Sequence, residues 1–254
     1  MCDVYPYTAG STQLIHVLPP EFQAGGTETL TKRLRDRAAR EEMRARMETG
    51  SDFENITLLV GFENVVAIGL RTDEYHRFEG KSIAEIALAL GKDPYDALFD
   101  LLAAEKCEAG MIDYISDEED LKAILRAPFS GVISDATYPG TGQVHPRVYG
   151  AFARLIETYV VREKVLTLEQ AVHKVTLQAA ERFSLAGKGK IEVGADADLL
   201  LFAPEKIRER GTYLTPKACA SGFDEVFVLG ERVIENGEYR GGSSGEMLGL
   251  RMEY

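Results

Sequence analysis

The sequence predicts an α/β fold that is followed by a small all-β segment. Up to Gly187, stretches with helical periodicity alternate with short apolar runs typical of buried strands. After Gly187 the pattern changes to short runs of β-forming residues separated by glycines. The chain has 254 residues, of which 45% are hydrophobic, so it can build one large core or two smaller ones and is not a disordered chain.

The composition excludes several classes of partner. Forty-one acidic residues against 29 basic ones give a net charge of -12, so we expect no general attraction to nucleic acid or to an anionic membrane. The apolar stretches are far shorter than the roughly 20 residues that cross a bilayer. Cys2, Cys107 and Cys219 lie far apart without a Cys-x-x-Cys motif, which predicts a cytoplasmic protein without a disulfide framework.

The first third of the chain contains one strand signal, one helix signal and one β-rich region. Residues 3–10 read as a short strand that runs into a glycine turn, and we expect this N-terminus to be the cut edge of a larger domain. Residues 27–47 predict a charged helix with Leu30, Leu34 and Ala38 on its buried face. Residues 55–70 predict a hairpin or two small strands.

Capping signals open the next predicted helices, at Ser82 with Glu85, at Asp93 with Pro94, at Ser116 with Glu119, and at Thr167 with Gln170. Residues 111–115 form a candidate strand, and residues 149–161 and 171–183 predict two amphipathic helices. The all-β segment contains four predicted strands, at residues 190–194, 197–202, 226–230 and 232–237.

Asp135 is the sharpest chemical feature. It follows the apolar, β-branched run at residues 131–134, which predicts a buried strand with a carboxylate at its C-terminal end. Functional side chains of parallel βα architectures project from these strand ends, where loops can close over a ligand. The alternative interpretation is an aspartate that caps a turn or a helix.

Arg147 and His145 follow in the loop after Asp135. The planar guanidinium of Arg147 could grip a carboxylate through two parallel hydrogen bonds, although an exposed structural arginine remains an alternative. His145 precedes Pro146, which favours an extended conformation, and it is interpreted as a residue that packs the loop.

Several motifs, taken in order, resemble the N-acyl-D-amino-acid deacylase (D-aminoacylase) family of the metal-dependent amidohydrolase superfamily. They are DVYPYTAGST at residues 3–12, Ser134-Asp135, HPRVYG at 145–150, LEQAV at 168–172, GKIEVGADADL at 189–199 and VFVLGERV at 226–233. The match extends over nearly the whole chain and is weakest between residues 14 and 80.

The resemblance implies the C-terminal part of an amidohydrolase (β/α)8 barrel with part of a β-sandwich. On this basis residues 1–13 contain barrel strand seven, and residues 14–127 form an inserted small α+β domain. Residues 128–186 contain barrel strand eight and the helices that follow it, and residues 187–254 form the sandwich part.

The resemblance also implies a zinc-dependent hydrolase that cleaves the amide of N-acyl-D-amino acids or related small substrates. Asp135 matches the residue that binds the metal site and acts as general base and acid. Tyr5 matches a residue that contacts the polarised carbonyl or the oxyanion, and Arg147 matches the arginine that binds the substrate carboxylate. The family's other metal ligands precede the start of this chain, so we expect the chain alone to bind zinc weakly and to be inactive.

Three interpretations follow for the polypeptide itself. The first is that it is the C-terminal portion of an enzyme whose other half has been removed from this sequence or is supplied by a complementing N-terminal chain. The second is that it is a non-catalytic remnant of the family. The third is that it is an interaction module. Two barrel strands without their neighbours leave open edges that favour pairing, so a homodimer is expected.

Overall fold

A computed structural model describes residues 2–137 and 142–248. In these ranges the chain forms strands β1 (Cys2–Val4), β2 (Gly10–Gln13), β3 (Val65–Ile68), β4 (Gly110–Asp113), β5 (Ser130–Val132), β6 (Leu199–Phe202), β7 (Phe223–Val228), β8 (Glu231–Glu235) and β9 (Glu238–Tyr239). The helices of the first half are α1 (Pro20–Gln23), α2 (Gly26–Arg33), α3 (Arg37–Thr49), α4 (Ile56–Val60), α5 (Asp73–His76), α6 (Ile83–Leu90) and α7 (Pro94–Ala104). The helices of the second half are α8 (Glu118–Arg126), α9 (Arg147–Arg154), α10 (Leu168–Val175) and α11 (Leu177–Arg182).

Shorter helical segments complete the elements. Three 3-10 turns lie at Leu14–Val17, Phe62–Asn64 and Pro204–Lys206. A π-helix, Leu155–Arg162, continues directly from α9. The wider π turns still bury Leu155, Ile156 and Tyr159, so this stretch contributes to the core like an ordinary helix.

The described strands form three separate sheets. Strands β1 and β5 pair in parallel, with Cys2 opposite Ser130. Strands β2, β4 and β3 form an antiparallel sheet in that order. Strands β6 to β9 form an antiparallel meander in sequence order. The parallel pair matters most for function, because parallel strands end at a common edge.

The described chain divides into two compact units. The first unit contains the described residues up to Pro6, Glu119–Ala136, and those from Pro146 onward. The second unit contains Tyr7–Glu118 and the described residues between Thr137 and His145. The chain therefore passes back and forth between the units, and the parallel pair belongs to the first.

The second unit has its own apolar core. Helix α6 begins with a capping box, in which Ser82 and Glu85 each accept a backbone hydrogen bond from the other, and Gly91 ends the helix in the left-handed conformation. Helix α7 begins at Pro94, with Asp93 as its N-cap. These helices pack with the β2–β4–β3 sheet around buried residues that include Leu98, Leu101, Ile83, Ile86, Val65 and Met111. The helix starts predicted at Ser82 with Glu85 and at Asp93 with Pro94 are confirmed.

One carboxylate connects the two chain pieces of the second unit. Glu79 accepts hydrogen bonds from the backbone N–H groups of Gly69 at 2.8 Å and Leu70 at 2.7 Å. It also accepts one from the N–H of Gln143 at 3.0 Å, in the piece that follows Thr137. A Cβ at Gly142 would lie 2.7 Å from the Cα of Gly69, so this close approach of the two pieces requires glycine.

The core of the first unit lies between its helices and the β1–β5 pair. Leu121, Leu125, Val132, Tyr159 and Ile207 are almost fully buried in it. Val4 and Phe202 pack against the same cluster. Burying a large apolar side chain stabilises a fold by about 1.5–3 kcal/mol relative to leaving it exposed, so this cluster contributes strongly to the unit's stability.

Three sequence predictions of secondary structure are wrong. The helix expected over residues 27–47 is two helices, because Asp36 caps α3 by accepting from the N–H of Ala39, and Ala38 is exposed. The β-rich region begins with helix α4, because the Asn55 side chain caps its first turn, and only its second half forms β3. Residues 190–194 form turns and coil, with Ile191 91% exposed.

The two amphipathic helices predicted in the second half are interrupted. The first begins at Arg147 and changes to the π-helix after Arg154. The second is split into α10 and α11 at Thr176, whose backbone angles are not helical. The capping box of Thr167 and Gln170 opens α10 as predicted.

Candidate active site

The candidate site lies where β1 and β5 end. The last ladder contact joins the N–H of Ile133 to the carbonyl oxygen of Val4 at 2.9 Å. Tyr5 follows Val4 directly, and Asp135 follows three residues after the end of β5. Because the strands are parallel, both residues leave the sheet at the same edge, which is the position that the sequence predicts for a functional carboxylate.

Asp135 has an unusual backbone conformation. Its φ is +47°, in the left-handed region that only glycine, asparagine and aspartate adopt at low cost. It belongs to no helix and caps none, and its side chain is 53% exposed. The carboxylate is therefore displayed at the strand end rather than used to terminate a helix.

Arg147 contacts both of the other predicted site residues. One terminal nitrogen, Nη2, lies 2.8 Å from Oδ2 of Asp135. Its guanidinium carbon lies 4.5 Å from the centroid of the Tyr5 ring, within the range of a cation–π contact. The Arg147 side chain is only 3% exposed, so the structure does not support the alternative of an exposed structural arginine.

His145 belongs to the second unit. Its ring nitrogen Nε2 is 3.0 Å from the carbonyl oxygen of Ala9, and its ring meets the Tyr7 ring edge-on at 4.9 Å. It is 3% exposed. These contacts agree with the prediction that His145 packs its loop.

A buried lysine supports the start of the strand that leads to Asp135. The Lys174 ammonium donates to the carbonyl oxygens of Ala127 at 2.7 Å and Ser130 at 2.9 Å, and to the Ser130 hydroxyl at 2.9 Å. Burial lowers the pKa of Lys174 below its ordinary value. Three acceptors around one ammonium explain how a lysine that is 5% exposed remains compatible with the fold.

Sequence analysis missed Arg154, which contacts the same strand end. Its Nε donates to the carbonyl oxygen of Pro6 at 2.6 Å. Arg154 lies seven residues after Arg147 on the same helix, and this spacing of two turns is a signal that could have indicated a shared face.

The residues that the structure describes do not make a metal site by themselves. Within residues 2–137 and 142–248, no group of three or more His, Cys, Asp or Glu side chains is arranged to hold a metal ion. Asp135 supplies one carboxylate, and one of its oxygens is already paired with a guanidinium. A zinc centre needs three or four protein ligands, so residues 2–137 and 142–248 do not supply a complete set.

The family follows from comparison with known proteins. The sequence profile described as "Amidohydrolase family" matches residues 61–217. An N-acyl-D-glutamate deacylase of Alcaligenes xylosoxydans xylosoxydans is 36% identical over 151 residues, which cover 59% of this chain and 30% of that protein. A D-aminoacylase of the same organism is 32% identical over 174 residues, covering 68% of this chain and 35% of that protein.

Solved structures of N-acyl-D-amino-acid deacylases also match this chain. The crystal structure of N-acyl-D-glutamate deacylase from Bordetella bronchiseptica, with zinc and a phosphonate inhibitor that mimics the tetrahedral intermediate, matches with a TM-score of 0.66 and 28% identity. The match covers 91% of this chain and 39% of the Bordetella chain. A D-aminoacylase variant in complex with copper chloride matches with a TM-score of 0.71 and 28% identity, covering 97% of this chain and 42% of that one.

The fold is therefore an α/β amidohydrolase fold. The chain belongs to the amidohydrolase family and, within it, to the N-acyl-D-amino-acid deacylase (D-aminoacylase) branch. It spans well under half the length of the relatives it matches. In the described part of the chain, no helix has both the length and the apolar character needed to cross a membrane.

Proposed function

We propose that this chain is the C-terminal portion of a zinc-dependent amidohydrolase that cleaves the amide C–N bond of N-acyl-D-amino acids or related small substrates. The observation that carries the proposal is the contact of Arg147 with both Asp135 and Tyr5 at the shared end of two parallel strands. The names of the relatives supply the substrate class. The three free cysteines fit a reducing cytoplasm.

Each of the three side chains has chemistry that suits one part of this reaction. The Asp135 carboxylate accepts a proton from the attacking water and returns it to the leaving amine nitrogen. The Tyr5 hydroxyl donates a hydrogen bond to the substrate oxygen as negative charge develops there. Arg147 binds the free carboxylate of the amino acid through its planar fork of N–H donors.

The substrate has to compete with Asp135 for Arg147. In the structure the guanidinium is paired with Asp135, so a substrate carboxylate takes over part of that pairing when it binds. This exchange releases the Asp135 carboxylate for proton transfer. Binding of the acidic end of the substrate and activation of the general base are thereby coupled through one side chain.

The metal belongs to the complete enzyme. We propose zinc because one solved relative is described as a zinc complex, and Asp135 is the residue of this chain that we assign to the metal site. The further ligands come from outside the described residues, which gather no set of their own. We therefore expect the chain alone to bind zinc weakly and to be catalytically inactive.

We assign β1 and β5 to barrel strands seven and eight. Residues 14–127 are assigned to an inserted small α+β domain, and residues 187–254 to part of a β-sandwich. The parallel pairing of β1 with β5 and the antiparallel β6–β9 sheet support these assignments. The division of the chain at residues 13, 127 and 186 stays a prediction.

We propose a complementing N-terminal chain as the partner, with a homodimer as the second candidate. Leu199, Leu200 and Leu201 of β6 are 37%, 55% and 61% exposed. The strand is at the edge of its sheet and places leucine on both faces, which favours pairing with another polypeptide. A non-catalytic remnant that acts as a structural or interaction fragment is the alternative function, and the exposed leucines of the edge strand β6 favour it.

The test is zinc binding and hydrolysis with and without a complementing N-terminal polypeptide from a D-aminoacylase. We expect weak zinc binding by the chain alone, and zinc-dependent release of the amino acid from N-acyl-D-glutamate or N-acyl-D-aspartate after mixing. Asp135→Asn is the matched inactive control, because it removes the proton acceptor and keeps the size of the side chain. A stable assembly that binds zinc and hydrolyses none of these substrates would favour the structural fragment.

A further inference from the structure

Helix α9 contacts two consecutive residues after β1. Arg147, its first residue, lies over the Tyr5 ring. Arg154, its last residue, donates from Nε to the carbonyl oxygen of Pro6. A separation of seven residues places both arginines on nearly the same face of the helix. One helix therefore holds both the side chain of Tyr5 and the backbone directly after it.

The Pro6 carbonyl is well placed to fix this segment. The ladder between β1 and β5 has its last contact at Val4, so the segment beyond is outside the sheet. Pro6 has no N–H group, and its ring fixes its own φ. Its carbonyl oxygen is the backbone group through which this buried residue can be anchored, and Arg154 supplies a charged donor for it at 2.6 Å.

Arg154 is itself held in place. Its Nη1 lies 3.1 Å from Oε2 of Glu209, whose side chain is only 10% exposed. The N–H of Glu209 donates to the carboxylate of Glu157 on the π-helix at 2.7 Å. Ile207, two residues earlier, is fully buried in the core of the first unit. The guanidinium thus joins a fixed carboxylate to the Pro6 carbonyl, and its planar geometry limits how far either can move.

We propose that Arg154 is a positioning residue that sets the place of the Tyr5 ring beside Arg147. The effect of Arg154 on catalysis rests on the proposed function, in which the Tyr5 hydroxyl contacts the substrate oxygen. A side chain displaced by about 1 Å can lower a rate about 100-fold, so a distant anchor of this kind affects the reaction without touching the substrate.

The first test measures geometry and needs no activity. Side-chain protons of Arg147 lie over the face of the Tyr5 ring, so their NMR signals carry an upfield ring-current shift. We expect Arg154→Met to abolish most of that shift and Arg154→Lys to give an intermediate value, since lysine keeps one charged donor. Arg162→Met is the control: Arg162 donates to the Thr158 hydroxyl on the π-helix, and we expect its loss to leave the shift unchanged.

An unchanged Arg147 shift in folded Arg154→Met protein would overturn the proposal. If that variant does not fold, Arg154→Lys and Glu209→Gln decide instead. Glu209→Gln keeps an acceptor for Arg154 and removes its charge, so we expect a smaller shift than in the wild type. Wild-type shifts in both of these variants would equally overturn the proposal.

The second test uses the zinc-loaded assembly with a complementing N-terminal chain. We expect Arg154→Met to lower kcat about 10-fold to 100-fold per bound zinc, with a smaller change in KM. A purely structural role would reduce the amount of assembled enzyme and leave kcat per zinc unchanged, which would count against positioning. If the wild-type assembly hydrolyses nothing, the proposed function fails, whereas the NMR test still decides whether Arg154 positions Tyr5.

Discussion

Replacing Asp135 by asparagine separates the charge of this residue from its backbone conformation. Asn tolerates the left-handed region nearly as well as Asp, so Asp135→Asn removes the ion pair with Arg147 and adds little strain. Asp135→Ala removes the same charge. It also places alanine, which lacks a polar side chain, at φ +47°, and this backbone strain costs about 1 kcal/mol more.

The burial of the two partners sets the size of the effect. Breaking a fully buried ion pair costs about 3–5 kcal/mol, and an exposed pair contributes about 1 kcal/mol or less. Arg147 is 3% exposed and Asp135 is 53% exposed, so this pair falls between the two limits. We expect Asp135→Asn to lower the free energy of unfolding by about 1–2 kcal/mol and Asp135→Ala by about 2–3 kcal/mol.

The assay is urea unfolding followed through amide resonances of the first unit, because two units need not unfold in one step. A double-mutant cycle with Arg147→Met isolates the pair, with an expected coupling of about 1 kcal/mol. Coupling indistinguishable from zero would show that the ion pair does not stabilise the fold. Equal effects of alanine and asparagine would refute the strain at residue 135.

Three further predictions concern the second unit. Burial raises the pKa of Tyr75 from 10.0 to about 12, so its contribution to stability is complete below pH 10 and is lost as the pH rises toward 12. Tyr75→Phe should flatten this alkaline decline by up to about 3 kcal/mol, and an unchanged pH profile of unfolding would contradict the assignment. Leu98→Ala should cost about 2–5 kcal/mol in urea unfolding, against about 0.5 kcal/mol or less for Leu88→Ala, because these leucines are 0% and 84% exposed. Ser82→Ala should cost about 1 kcal/mol through loss of the N-cap, and hydrogen exchange at the Glu85 amide should accelerate if the cap is formed in solution.

The sequence predicts best those features that a few neighbouring residues determine. The capping boxes at Ser82 and Thr167 open helices as expected, because the cap and its partner are three residues apart in the same turn. The strand before Asp135 is equally local, since an apolar β-branched run ends abruptly at a carboxylate. These signals predict a carboxylate at the end of this strand without any knowledge of distant contacts, and Asp135 lies three residues beyond β5 in the structure.

Local patterns fail where polar capping or packing decides the conformation. Ile56–Val60 has strand-forming residues but folds as a helix, because the Asn55 side chain satisfies the N–H of Leu58. The burial of Arg147 and the anchoring by Arg154 depend on Tyr5 and Pro6, which lie more than 140 residues away in the chain. No spacing within a single helix reveals such partners.

The path of the chain through its two units limits how the second unit can be exchanged by recombination. It is encoded by two separate stretches, Tyr7–Glu118 and the short stretch after Thr137, and Glu79 in the first bonds to the amide of Gln143 in the second. If only Tyr7–Glu118 is transferred to a relative, Glu79 loses its hydrogen bond with Gln143 and meets a loop of the recipient protein instead. Swapping this module between relatives therefore requires both stretches to move together, with a glycine retained at position 142.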